Sequence, residues 1–116
     1  MTEYFYPTDG RKHYISLEKA QKDMFQAFKN FNNEIFEKES ALSRKMKELI
    51  AIGVAHTTQC PYCIEGHVRA ARKAGANDQE IAEAIFVASA LRAGGAFAHS
   101  TIAMSVLKEM EGGKSD

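Results

Sequence analysis

The chain has 116 residues, the common size of a single domain, and is read as one domain over 1–116. Fifteen basic and fifteen acidic side chains cancel, which excludes the electrostatic footprint expected of a nucleic-acid binder or of a protein drawn to anionic membranes. With 45% hydrophobic and 26% charged residues, global disorder is excluded as well.

In chain order, 1–15 carry Tyr4, Phe5, Tyr6, Pro7 and Tyr14 without a helical period, and Thr8-Asp9-Gly10 reads as a turn. The N-terminal residues lack the basic-then-apolar layout of a signal peptide, so a cytoplasmic location is expected. A helix is predicted from about Ser16, a plausible N-cap, to near Lys38. It carries Met24, Phe28, Phe31 and Ile35 as a narrow apolar stripe. The phenylalanines Phe25, Phe28, Phe31 and Phe36 read as core or interface rather than as a cofactor box. Glu39 to Leu42 is a break, and Ser43 caps a helix over about 43–58. There Met46, Leu49, Ile50, Ile52, Val54 and Ala55 surround the axis, which predicts burial on several sides.

Pro61 is favoured at the first position of a helix, so Cys60 is placed at the N-cap of a helix over about 60–74 that stops at Gly75. Asn77 and Glu80 have the spacing of a capping box and open a helix to about Ala93, apolar almost all round. Gly94-Gly95 is read as a break before a last helix over about 96–110. No alternating strand pattern survives, so the prediction is an all-α chain of five helices. No uninterrupted apolar run approaches the roughly 18 residues of a membrane span; the longest covers 49–55. A domain this short cannot easily bury two all-round apolar helices, so a homo-oligomer is expected.

Two cysteines cannot form a disulfide framework, and Cys60-Pro61-Tyr62-Cys63 places both on the first turn of a helix. There the free N–H groups and the helix dipole stabilise a thiolate, lowering a cysteine pKa from about 8.5 toward 7 or below. Cys60, Cys63 and His67 at i, i+3 and i+7 share one helical stripe, so the imidazole of His67 can exchange a proton with a thiol. Glu48 is an acid at the edge of an apolar stretch. If 43–58 and 60–74 form a hairpin, it comes near His67, where a partly desolvated carboxylate makes a useful proton relay. A solvated glutamate beside Lys45 and Lys47 is the plainer alternative. His56 and His99 read as structural histidines more readily than as pocket residues. Tyr62 either offers its hydroxyl to the site or packs there, and His13 has no informative context.

Glu48, eleven residues, Cys60-x-x-Cys63, three residues and His67 resemble the signature of the alkylhydroperoxidase D-like proteins of the carboxymuconolactone decarboxylase superfamily. The resemblance extends over about 43–110, including the Leu91-Arg92-Ala93-Gly94-Gly95 stretch. It implies an all-α bundle of alkylhydroperoxidase D type with a CxxC helix hairpin, assembled as a trimer or hexamer. The implied activity is thiol-dependent reduction of a hydroperoxide or a disulfide. Cys60 and Cys63 would cycle between dithiol and disulfide, His67 would move the proton, and Glu48 would orient it or relay through it. Partners implied are a small hydroperoxide and a thiol, lipoyl or peroxiredoxin-type redox partner, with no cofactor, no metal, no nucleic acid and no membrane. Tyr62 departs from the pattern, since the best characterised members carry histidine there, so the resemblance does not specify the full relay or the physiological donor. The lactone decarboxylases of the superfamily are not defined by the CxxC pair, and their activity is not implied.

Two other readings compete. A glutaredoxin-type enzyme shares the tetrapeptide but needs a strand before it, where this chain is helical in pattern. In a structural oligomer without turnover, Cys60, Cys63, His67 and one of His56, His99 or Glu48 would bind zinc, or the cysteines would only sense redox state. Against the metal, seven positions on one rigid helix separate Cys60 from His67 by about 10 Å.

Overall fold

A computed structural model describes residues 6–7 and 9–113, and Thr8 of the predicted turn lies outside them. A short 3-10 turn, Gly10–His13, leads into five α-helices among the described residues: α1 Tyr14–Ala20, α2 Lys22–Phe36, α3 Arg44–Thr58, α4 Pro61–Lys73 and α5 Asp78–Glu111. No strand occurs among them.

Three of the four predicted N-caps, Ser43, Cys60 and Asn77, fall where the side chains can satisfy free backbone N–H groups. Ser43 Oγ accepts from the Met46 N–H at 3.1 Å and opens α3. Cys60 caps α4 with Pro61 at its first position. Gly75 takes φ +98° just past α4, a conformation that a residue with a Cβ adopts only at a cost. Asn77 Oδ1 accepts from the Glu80 N–H at 2.8 Å while Glu80 Oε1 accepts from the Asn77 N–H at 3.0 Å, closing the capping box of α5.

Several expectations are corrected. The first helix does not start at a Ser16 cap. Its helical run begins at Tyr14 and is divided where Gln21 leaves helical geometry (φ −147°, ψ 76°). Gly94-Gly95 does not end a helix: α5 runs through both as 34 residues. A helical glycine costs about 1 kcal/mol relative to alanine, but it breaks a helix only where the chain also turns, and neither glycine here adopts positive φ. The uninterrupted α5 is also long and apolar enough to cross a membrane, with a mean hydropathy of 1.4 over its best window. Counting unbroken apolar runs missed this because Ser89, Arg92, His99 and Ser100 interrupt the run without lowering its average below that of a span.

α3 and α4 form an antiparallel hairpin, and α5 packs its first half across α3. The core is small: Ile52, Ala71 and Ala76 are buried, with Leu49, Val68, Ile81, Ala84 and Ile85 packed around them. Gly53 admits α5 closely, since a Cβ there would stand 3.5 Å from the Ala84 carbonyl. Lys45 Nζ pairs with Glu80 at 2.8 Å, and Arg92 donates to the Thr57 carbonyl at 3.0 Å, tying α3 to α5 near both ends of their contact. Arg72 pairs with Asp78 across the α4–α5 turn.

α3 is thus buried on one face rather than on several. Glu48, Ile52 and Ala55 point inward, while Met46, Ile50 and Val54 form an exposed stripe on the opposite side. The α2 stripe is exposed too, with Phe28 71% accessible, and beyond Gly94 every residue of α5 is exposed, Phe97 at 81%. The radius of gyration is 20.1 Å, against about 13 Å for a compact chain of this length.

Candidate active site

The site is built on the α3–α4 turn. α3 ends with Gln59 in the left-handed region (φ 57°), the one non-glycine residue there among those described, and the Cys60 N–H bonds back to the Ala55 carbonyl at 3.1 Å. A left-handed non-glycine residue costs roughly 1–2 kcal/mol, spent here where the chain reverses to aim the next residues at α3. Cys60 Sγ then accepts from the Cys63 N–H at 3.3 Å, so the first cysteine is itself the helix cap. Cys60 and Cys63 are joined by a disulfide across the first turn of α4, with a Cα–Cα distance of 5.3 Å. Both sulfurs stand at the positive end of the α4 dipole, where a thiolate released by reduction is favoured.

One turn further along α4, His67 meets α3. Its Nδ1 lies 2.6 Å from Glu48 Oε1, and Glu48 is buried to 7% exposure while His67 is half-buried. The solvated reading of Glu48 is therefore set aside: the hairpin turns it inward, away from Lys45 and Lys47. Engaging Nδ1 with a carboxylate selects the tautomer that carries its proton on Nδ1. That leaves Nε2 as the acceptor of the neutral ring. The ring also packs against Phe36 at the end of α2, with centroids 4.9 Å apart and planes tilted by 39°.

Phe36 was not legible as a site residue, because its contact crosses from α2 to α4 and carries no motif. The same holds for the N-terminal segment over the cysteine turn. Tyr6 stands edge-on to Tyr62 with ring centroids 5.0 Å apart, and its hydroxyl lies 3.4 Å from Glu65 Oε2. Arg11 donates to the carbonyl of Tyr62, the residue between Pro61 and Cys63. Gly10 leaves room for the Tyr62 hydroxyl, which a Cβ would approach to 2.9 Å. Tyr62 therefore packs, the second of the two roles open to it.

The other histidines are not brought to the pair. His56 bonds through Nδ1 to the Ile52 carbonyl at 2.8 Å, and His99 to the Gly95 carbonyl at 2.7 Å on the exposed half of α5. His13 is exposed at the end of the 3-10 turn. Among the described residues no three His, Cys, Asp or Glu side chains converge as a metal site, so the zinc reading gains nothing from the geometry.

Comparison with known proteins gives the chain a family. The chain is 47% identical over 94 residues to a Paracoccus denitrificans protein described as uncharacterized protein 4 in the cox locus, covering 81% of this chain and 84% of that one. The profile of the carboxymuconolactone decarboxylase family matches residues 22–105. That match begins in α2, ahead of the motif, and takes in Phe36 along with Glu48, both cysteines and His67. With most of its length matched and its helices in place around these residues, the chain belongs to the carboxymuconolactone decarboxylase family.

Proposed function

We propose that the protein is a thiol-dependent oxidoreductase that reduces small hydroperoxides, in the manner of the alkylhydroperoxidase D-like members of its family. The observation that carries this reading is the cysteine pair at the head of α4, one turn from a histidine held by a buried carboxylate. In the reduced form the Cys63 thiol gives its proton to His67 Nε2, directly or through one water. The thiolate attacks the terminal peroxide oxygen, the O–O bond breaks, and the alkoxide leaves as an alcohol with the proton returned by His67. The resulting Cys63 sulfenic acid is displaced by the Cys60 thiol, releasing water and forming the disulfide. An external thiol or a lipoyl dithiol then returns two electrons and two protons by exchange, and a peroxiredoxin-type partner would be an acceptor of electrons from the Cys60–Cys63 dithiol. Glu48 acts through His67, as a positioning residue, and no cofactor enters the cycle.

The same reading includes a homo-oligomer, a trimer or hexamer, with the exposed faces of α2 and α5 between copies. A chain with this much exposed apolar surface and this radius of gyration leaves its outer helices half-solvated when alone. Self-association accounts for α5 better than a membrane does, because Ile81, Ala84, Ile85 and Ala88 already pack its first half on α3. Neither nucleic acid nor membrane has a part in this reading, and the cytoplasm is its expected setting.

The test is a peroxidase assay with tert-butyl hydroperoxide and dihydrolipoamide or glutathione as donor, alongside thiol titration of the reduced protein. Peroxide is expected to consume both thiols of each chain, and turnover is expected to fall to background in Cys63→Ser. Undiminished turnover in that variant would overturn the dithiol cycle. Disulfide formation without turnover under any donor would instead favour a redox-sensing oligomer.

A further inference from the structure

A cleft of about 540 Å³ lies where α4 meets the start of α3 and the N-terminal segment. Its floor is Gly66, Ala70 and Ala74, and its walls carry Arg11, Arg44, Arg69 and Lys73 against a single carboxylate, Glu39. On a helix, 66, 69, 70 and 73 form one stripe, adjacent to the stripe of Cys63 and His67 and continuous with Tyr62. The volume falls within the range of small-molecule sites, roughly 300–1,000 Å³. Four cations facing one acid across a concave surface repel one another, and an anion placed between them relieves that repulsion.

The charges are not consumed locally. Among the described residues neither the Arg44 guanidinium nor the Lys73 ammonium has a hydrogen-bond or ion-pair partner. Arg69 has only a 3.5 Å approach to Glu65, itself a weak, exposed pair. Glu39 is partly engaged by the Arg44 backbone N–H at 3.2 Å. Arg11 is different: its bond to the Tyr62 carbonyl fixes it against the helix, and Gly66 lets it lie there, since a Cβ would meet its Nη2 at 2.6 Å. One guanidinium is therefore held in place before any ligand arrives, which lowers the ordering cost of binding.

We propose that this cleft binds a small molecule carrying phosphate or carboxylate groups, at least two negative charges in all. The anion bridges the Arg11–Arg69 side and the Arg44–Lys73 side of the cleft. Guanidinium groups suit both chemistries, because their paired N–H donors match the oxygens of either anion. The site is separate from the thiol chemistry and stands whether or not that chemistry is correct. Through Arg11, its occupant sits one helix face from the cysteine turn.

Isothermal titration of the full-length protein at low ionic strength, with pyrophosphate and with citrate, tests the assignment and separates the two sources. Saturable binding at about one ligand per chain is expected, with Kd on the order of 0.1 mM for the better anion. It should weaken about tenfold in Arg44→Gln/Lys73→Gln, whose positions are exposed and outside the cysteine pair, and also as salt is raised. A control pair on α2, Lys22→Gln/Lys29→Gln, should leave it unchanged. Absence of saturable binding for both anions, unchanged affinity in the cleft variant, or equal loss in the α2 control would each overturn the site.

Discussion

A carboxylate buried as deeply as Glu48 gives up most of its hydration and must recover it from partners, and His67 Nδ1 at 2.6 Å is the side-chain partner that supplies it. Glu48→Gln keeps the shape and removes the charge, so the fold should lose only about 1–2 kcal/mol, read by denaturant unfolding. In the proposed cycle kcat should fall about 10- to 100-fold with KM changed less than about twofold. A structural role alone would not move the imidazole proton, whereas loss of this carboxylate should. Nitrogen-15 spectra of His67 should show the Nδ1–H tautomer losing ground to Nε2–H, and an unchanged tautomer would remove Glu48 from the relay. The spacing of Glu48 and His67 on a hairpin made their meeting legible in the sequence. Tyr6, Gly10, Arg11 and Phe36 were not legible, because their contacts with Tyr62 and His67 follow from where α2 and the N-terminal segment lie, and no local pattern encodes that.

Among the elements, α5 begins on a signal that needs only local chemistry. Replacing Asn77 by Ala removes one half of the capping box and should cost about 1 kcal/mol, seen as a lower Tm. The Lys45 ammonium, and after it the Asn77 N–H, hold the Glu80 carboxyl below its ordinary value. A depressed carboxyl stabilises the fold above its unfolded pKa, about 4.3, and that contribution fades as pH drops through the lower folded value. Stability should therefore decline on acidification below about pH 4, and Glu80→Gln should flatten that decline; an unaltered pH profile in the variant would show the pair to be inconsequential. The caps of α3, α4 and α5 and the proline start were legible because each is settled within a few residues. The fate of Gly94-Gly95 was not, since glycine permits a turn without requiring one, and the flanking alanines carry the helix through.

The molecule as a whole is extended for its length, and α5 is the reason. Its 34 residues make a rod of about 51 Å within a longest dimension of 59 Å, and contacts with α3 are confined to its first half. If the remainder is covered by further copies of the chain, Phe97→Glu should leave helix content intact in circular dichroism. The particle should then drop to the 12.9 kDa of one chain in light scattering. An unchanged mass would mean that this face is not an interface. That apolar surface would be left over was legible as a mismatch between chain length and apolar helix length. Which faces stay bare was not, because the all-round patterns of 43–58 and 78–93 do not say which side the hairpin claims.

The chain has no tryptophan, so its ultraviolet emission comes from four tyrosines. One of them, Tyr62, is set within the disulfide loop, with Tyr6 edge-on beside it. Disulfides quench nearby phenol fluorescence by electron transfer, and thiols do so far less. Tyrosine emission should therefore brighten when Cys60 and Cys63 are reduced and dim when they rejoin. Such a change would give the protein its own optical gauge of redox state, readable without label or coupled enzyme.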